Sequence, residues 1–227
     1  MLKFTPVLLL IAYIAVMWFF SAWRLKQDLT QNSSPLNHPR LMPVLKQLGQ
    51  AMDLPPVRAH ISEVDPVNGL AAPDGRIFLT RGFIRKLDAG EVTPEELASV
   101  IAHELGHVSL GHSRRRMIDF AGQNAIRLAL AGVLGRIIPG IGPWIATMVA
   151  NAVAARLSRQ DEFEADRFAS ALMMRAGLGT APQKSLFRKL EQMTGGRRTS
   201  PAWFMSHPPV AQRIAAIEQH EARWQNG

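Results

Sequence analysis

His103-Glu104-Leu105-Gly106-His107 constrains this chain more than any other stretch of it. Residues four apart stack on one face of an α-helix, so a helix here aims two imidazoles at one point. Histidines so placed can bind a divalent metal, and the glutamate beside them is positioned as general base toward an attacking water. The pattern is that of a zinc hydrolase. The preceding residues support the helix. Thr93-Pro94-Glu95-Glu96 reads as a threonine N-cap, proline at the first helical position and a glutamate that closes a capping box. Leu97, Val100, Ile101, Leu105 and Val108 then supply an apolar side.

The chain has no cysteine, so a metal must take His, Asp or Glu. A catalytic zinc usually takes three protein ligands. A third histidine close by would fall at position 113, preceded by glycine at 110, but Ser113 and Leu110 stand there. His112 falls about 140° round the helix from His107 and reads as a solvent-exposed histidine near a helix end at Gly111. The acidic run Asp161-Glu162-Phe163-Glu164-Ala165-Asp166 opens a new helical pattern. Glu162, Ala165, Asp166 and Ala169 share one face of it, and the two alanines permit close approach to the His103–His107 helix. Glu164 points about 200° from Glu162, toward a wetter face beside Arg167. Glu162 is therefore the expected third ligand of one zinc ion. Asp166, one turn on, is expected to hold a histidine N–H from behind.

The N-terminus sets a second constraint. Residues 4–23 carry no charge, and about 20 helical residues span about 30 Å, the apolar thickness of a bilayer. Trp18, Phe19, Phe20 and Trp23 crowd the far end as an interfacial belt would. Bulky rings stand where a cleavage site wants small residues, so an uncleaved anchor is expected rather than a signal peptide. Lys3 lies on one side and Arg24 and Lys26 on the other, which leaves the orientation open. The net charge of +8 suits an anionic membrane surface. Nucleic acid is not expected as a partner, because the basic residues are scattered apart from Arg114-Arg115-Arg116 and Arg197-Arg198, and Tyr13 is the only tyrosine.

The rest divides simply. Residues 24–40 read as a linker and 41–227 as the catalytic domain. Leu41, Val44, Leu45 and Leu48 are spaced for a short helix. Val57–Val64 and Arg76–Thr80 read as strands, with a turn at Asp74-Gly75. Ile137 to Ala155 is again uncharged, but Pro139, Gly140, Gly142 and Pro143 interrupt it. A single crossing there would put His107 and Glu162 on opposite sides of the membrane. Residues 120–156 are therefore expected to form helices with a Pro/Gly corner, packed on the domain or dipping into the membrane interface.

These residues together resemble the HtpX and CAAX-prenyl-protease family of membrane-associated zinc endopeptidases, a branch of the gluzincins. The resemblance runs from about Val57 to Ile217. It rests on Asn68-Gly69-Leu70-Ala71, Gly75 to Gly82, HELGH, Ser158-Arg159, Glu162 to Asp166, and His207-Pro208-Pro209 with Arg213. It implies an α+β, mainly helical metalloprotease domain with a small sheet ahead of the active helix, plus one N-terminal transmembrane helix. In that family the first glutamate of ExxAD is the third ligand, which matches Glu162. It places His207 and Arg213 near the metal. Both could donate hydrogen bonds to the oxyanion, or His207 could fill the fourth metal position in a resting state. It also suggests strand addition of an extended substrate at Gly75–Thr80.

The expected activity is a membrane-anchored zinc metalloendopeptidase in protein quality control, with Glu104 as base. Its substrates would be misfolded or membrane-associated polypeptides, at a bacterial inner membrane. The competing reading is a membrane-tethered chaperone or adaptor that binds unfolded clients and rarely cleaves.

Overall fold

The computed structural model describes residues 27–72, 74–112, 140–194 and 209–225, with scattered positions at 12–24 and 127–138. Four short strands form one mixed sheet: β1 (Ser33–Pro35), β2 (Ala59–Ser62), β3 (Gly69–Ala71) and β4 (Ile77–Thr80). Their order across the sheet is β1-β2-β4-β3. β2 and β4 run parallel, with Ala59 opposite Ile77 and Ser62 opposite Thr80. β1 is antiparallel to β2, and β3 is antiparallel to β4.

Two differences from the sequence reading follow. The expected linker contains β1, whose Ser33–Pro35 pair with Ser62–His60, so this stretch belongs to the folded unit. The strand at Ile77–Thr80 is also not an edge. β2 and β3 occupy both of its sides, so no substrate strand can add to it. Among the described residues, β3 is the sheet edge that lies beside the helical layer.

The helices are α1 (Met42–Ala51), α2 (Arg81–Asp88), α3 (Pro94–Ser109), α4 (Gly142–Arg175), α5 (Ala181–Thr194) and α6 (Val210–Gln225). The expected capping box starts α3. Glu96 N donates to Thr93 Oγ1 at 3.2 Å, and Thr93 N donates to Glu96 Oε2 at 2.8 Å. Glu96 also receives Ser185 Oγ at 2.7 Å and Lys189 Nζ at 2.8 Å, which tie α5 to the start of α3.

α3 is the central element. Leu97, Ala98, Val100, Ile101 and Ala102 are all within 2% of full burial, a pattern that fits a helix covered on every side rather than a one-faced surface helix. α1, α4, α5, β3 and β4 pack on it. Leu41, Leu45 and Leu48 join Leu79, Phe83, Leu87, Leu97 and Ile101 in one core. Each large apolar side chain buried there contributes about 1.5–3 kcal/mol of transfer free energy.

α4 runs for 34 residues, so Asp161–Asp166 lie in the interior of a long helix rather than at the start of a new one. A turn at Gly140 and Ile141 precedes it, with Gly140 at φ +90°. The apolar residues between Ile137 and Val153 are only partly packed on the domain. Ala146 and Ala150 are buried, but Ile137, Ile141, Trp144 and Met148 are more than half exposed. No helix among the described residues is long and apolar enough to cross a membrane. Most of the expected anchor at 4–23 lies outside the described residues.

Candidate active site

α3 and α4 cross at Gly106. A Cβ built on Gly106 would stand 3.0 Å from Ala165 Cα and 3.1 Å from Ala165 O, so the absence of a side chain lets the backbones meet. Ala165 and Ala169 are fully buried in this contact, as their small size predicts. The crossing brings His103, His107 and Glu162 together. Glu162 Oε2 lies 3.4 Å from His103 Nε2, and Oε1 lies 3.4 Å from His107 Nε2. The two Nε2 atoms are 3.1 Å apart. All three residues are buried.

This donor set fits a divalent cation. One atom of each residue lies within 4.8 Å of the other two. Both rings are held by Nδ1, which leaves Nε2 of each turned toward Glu162. His103 Nδ1 bonds Asp166 Oδ1 at 2.9 Å. A buried carboxylate between two imidazole nitrogens is a costly arrangement unless a cation or proton neutralises it.

Asp166 is where helical spacing placed it, one turn beyond Glu162. Arg213, fully buried on α6, grips it with two bonds: Nε to Oδ2 at 2.7 Å and Nη2 to Oδ1 at 2.6 Å. The guanidinium also lies over the Phe187 ring, 4.2 Å from its centroid. Arg213 thus sits on the Nδ1 side of His103, its Nη2 3.4 Å from that nitrogen. His207 lies outside the described residues.

The electrostatics follow from burial. Burial opposes the Asp166 carboxylate, but the Arg213 charge and its hydrogen bonds outweigh this and hold Asp166 at about 2. Burial opposes charge on His103, yet bonds to Asp166 and Glu162 raise it to about 9 in the metal-free protein. Burial pushes Glu104 up to about 7; the His103 ring pulls it back and Glu162 reinforces the rise. A carboxyl near neutrality is suited to take up a proton and give it back.

Sequence reasoning missed two neighbours of the site. Ala71 of β3 is near enough for its backbone to lower the Glu104 carboxyl slightly, so this sheet edge lies beside the base. The other is His112, which is a correction. It is 1% exposed rather than solvated, and its Nδ1 lies 2.8 Å from His107 Nδ1. The 140° offset assumed that the helix continues. Gly111 instead takes φ +67°, a left-handed conformation that ends the helix and turns the next residue back. The glycine itself was the available signal.

Comparison with known proteins agrees with this geometry. The model of peptidase family M48 matches residues 35–221. Metalloprotease LoiP of Escherichia coli (strain K12) is 30% identical over 178 residues, covering 78% of this chain and 68% of that protein. Metalloprotease YcaL of the same organism is 30% identical over 183 residues, covering 81% of this chain and 69% of that protein. Protease HtpX of Nitrosococcus oceani is 32% identical over 157 residues, covering 56% and 53% respectively. With a buried His-His-Glu cluster and a glutamate poised beside it, the chain belongs to peptidase family M48 and is a metalloendopeptidase.

Proposed function

We propose that the metal is zinc, held by His103, His107 and Glu162, and that Glu104 is the general base of peptide hydrolysis. The convergence of these three buried donors on one point, with Glu104 raised to about 7 beside them, carries the reading. Two imidazoles and one carboxylate form a donor set that zinc takes in catalytic sites. Bound zinc supplies Lewis acidity, polarising the scissile carbonyl and making a water easier to deprotonate. A Glu104 carboxylate oxygen takes the proton of the attacking water and hands it to the leaving amide nitrogen. Asp166 holds the His103 ring through Nδ1, and Arg213 acts through Asp166 as a positioning residue. His207 keeps the two roles open to it, oxyanion donor or resting fourth ligand.

The substrate is best accommodated along β3. Ala72 N donates to Arg76 O and Thr80 N donates to Asn68 O, so Asn68 and Ala72 face β4. By the alternation of an antiparallel pair, the backbones of Gly69 and Ala71 face outward. An extended peptide pairing there would pass Glu104. Metal analysis of the purified protein, with activity lost to a chelator and restored by zinc, tests the assignment. Restoration by another ion but not by zinc would overturn the zinc reading.

We further propose that residues 4–23 anchor the protein as a single-pass helix in a bacterial inner membrane, and that the substrates are misfolded or membrane-associated polypeptides. Exposed Tyr13, Val16, Phe19 and Trp23 support the anchor. A relative named β-barrel assembly-enhancing protease, from Escherichia coli (strain K12), supports the substrate class. It is 27% identical over 202 residues, covering 82% of this chain but 40% of that protein. Nothing in the fold or among the relatives favours the chaperone reading.

A further inference from the structure

The His107–His112 contact has a chemistry of its own. Two Nδ1 atoms 2.8 Å apart have room for one hydrogen between them, so one ring donates and the other accepts. The surroundings decide which. His112 Nε2 faces Glu164 Oε2 at 3.3 Å, with Asp161 Oδ1 at 3.9 Å beyond. Gln160 Nε2 holds the other Glu164 oxygen at 3.0 Å. If His112 donated from Nδ1 with its one ring hydrogen there, it would turn a bare Nε2 lone pair toward two carboxylates. His107 would then carry its own hydrogen on Nε2, where it faces His103 and Glu162 and would block metal donation. If His107 donates instead, both ends are satisfied: His107 Nε2 turns its lone pair toward His103 and Glu162, where a cation would be held, and His112 presents Nε2–H to Glu164.

We infer that His112 is a positioning residue for the metal centre, whose Nδ1 accepts the Nδ1–H of His107 and whose Nε2–H is held by Glu164. The inference rests on His107 being a metal ligand. The two ligand histidines are then supported differently. His103 leans directly on a carboxylate, whereas His107 reaches one only through a second imidazole. The same hydrogen count argues against a second cation among His112, Asp161 and Glu164, although their donor atoms also lie within 4.8 Å of one another. A cation on His112 Nε2 would leave that ring its hydrogen on Nδ1, reverse the bond to His107 and place a hydrogen on the Nε2 that the first site needs.

The test is zinc affinity of the full chain in detergent, measured by chelator competition, in wild type, H107A, H112F and H112N. Phenylalanine keeps the ring but removes the acceptor. Asparagine restores an acceptor at the δ position. Loss of such a partner to a metal-bound histidine costs about 10–100-fold in metal affinity. H112F should therefore bind zinc about 10–100-fold more weakly, H112N should recover most of that loss, and each protein should bind one ion. The nitrogen NMR pattern of zinc-loaded wild type should show His112 as the Nε2–H tautomer, a readout that does not depend on how the variants fold. H112F within twofold of wild type, H112N no better than H112F, an Nδ1–H tautomer for His112, or two ions per chain would each overturn the inference. Failure of the underlying reading looks different: H107A would bind zinc as wild type does.

Discussion

Gly106 and Ala165 meet backbone to backbone, and the metal site exists because they do. A Cβ on Gly106 would come within 3.0–3.1 Å of the Ala165 main chain, which cannot rotate away as a side-chain tip could. In an open helix, Gly→Ala is stabilising by about 1 kcal/mol. Here G106A should reverse that sign and destabilise by about 1–3 kcal/mol, the usual cost of overpacking. Because Glu162 lies one turn before Ala165, zinc affinity should fall with it. Thermal unfolding and zinc titration check both effects, and an unchanged or higher Tm would mean that the helices have slack.

Glu104 is the only group assigned to move a proton in the proposed mechanism. E104Q should lower kcat by about 10²–10⁴-fold, the usual share of general base catalysis. It should still bind one zinc ion per chain. Metal content measured beside peptide cleavage separates loss of the base from loss of the site.

The Asp166–Arg213 pair predicts acid sensitivity of the metal-free protein. The Asp166 carboxyl lies below its ordinary value in the folded state, at about 2. Its contribution is therefore present above the unfolded value near 4 and lost as pH falls from about 4 to about 2, amounting to about 2 kcal/mol. D166N should remove this step. It should also cost about 3–5 kcal/mol at neutral pH, because Arg213 keeps its buried charge without its counter-ion. Urea midpoints measured from pH 2 to 6 in both proteins would show the difference in slope.

The outward backbone of β3 predicts a substrate effect. G69P removes one outward N–H without breaking a bond to β4, as proline can at a sheet edge. One hydrogen bond is worth about 1 kcal/mol, so kcat/KM for extended peptides should fall about five- to tenfold. Gly69 is buried, so the ring should lower the Tm, while zinc content should hold. An equal kcat/KM in G69P would place the peptide elsewhere.

What the sequence shows of this site depends on whether a local rule governs it. The α3 start was legible from Thr93 to Glu96, because capping chemistry acts over three residues. Glu162 and Asp166 were legible from helical spacing, which held because α4 is continuous through them. His112 was misplaced because one left-handed glycine ended the angular count. β4 was misread as an edge because strand order depends on pairings between distant segments. β3, with three residues, offers too short a pattern to reveal its period. α2 follows β4 without an intervening break, so no turn residue marked its start at Arg81.

The length of α4 has a mechanical consequence. Taken as a stiff rod resting on Gly106 at Ala165, it has one arm of about 32 Å toward Trp144 and another of about 4.5 Å toward Glu162. A displacement of 1 Å at the exposed apolar end is then reduced to about 0.15 Å at the ligand. Glu162 sits beside the pivot, so whatever touches Ile141 or Trp144 leaves the geometry of the metal site nearly still.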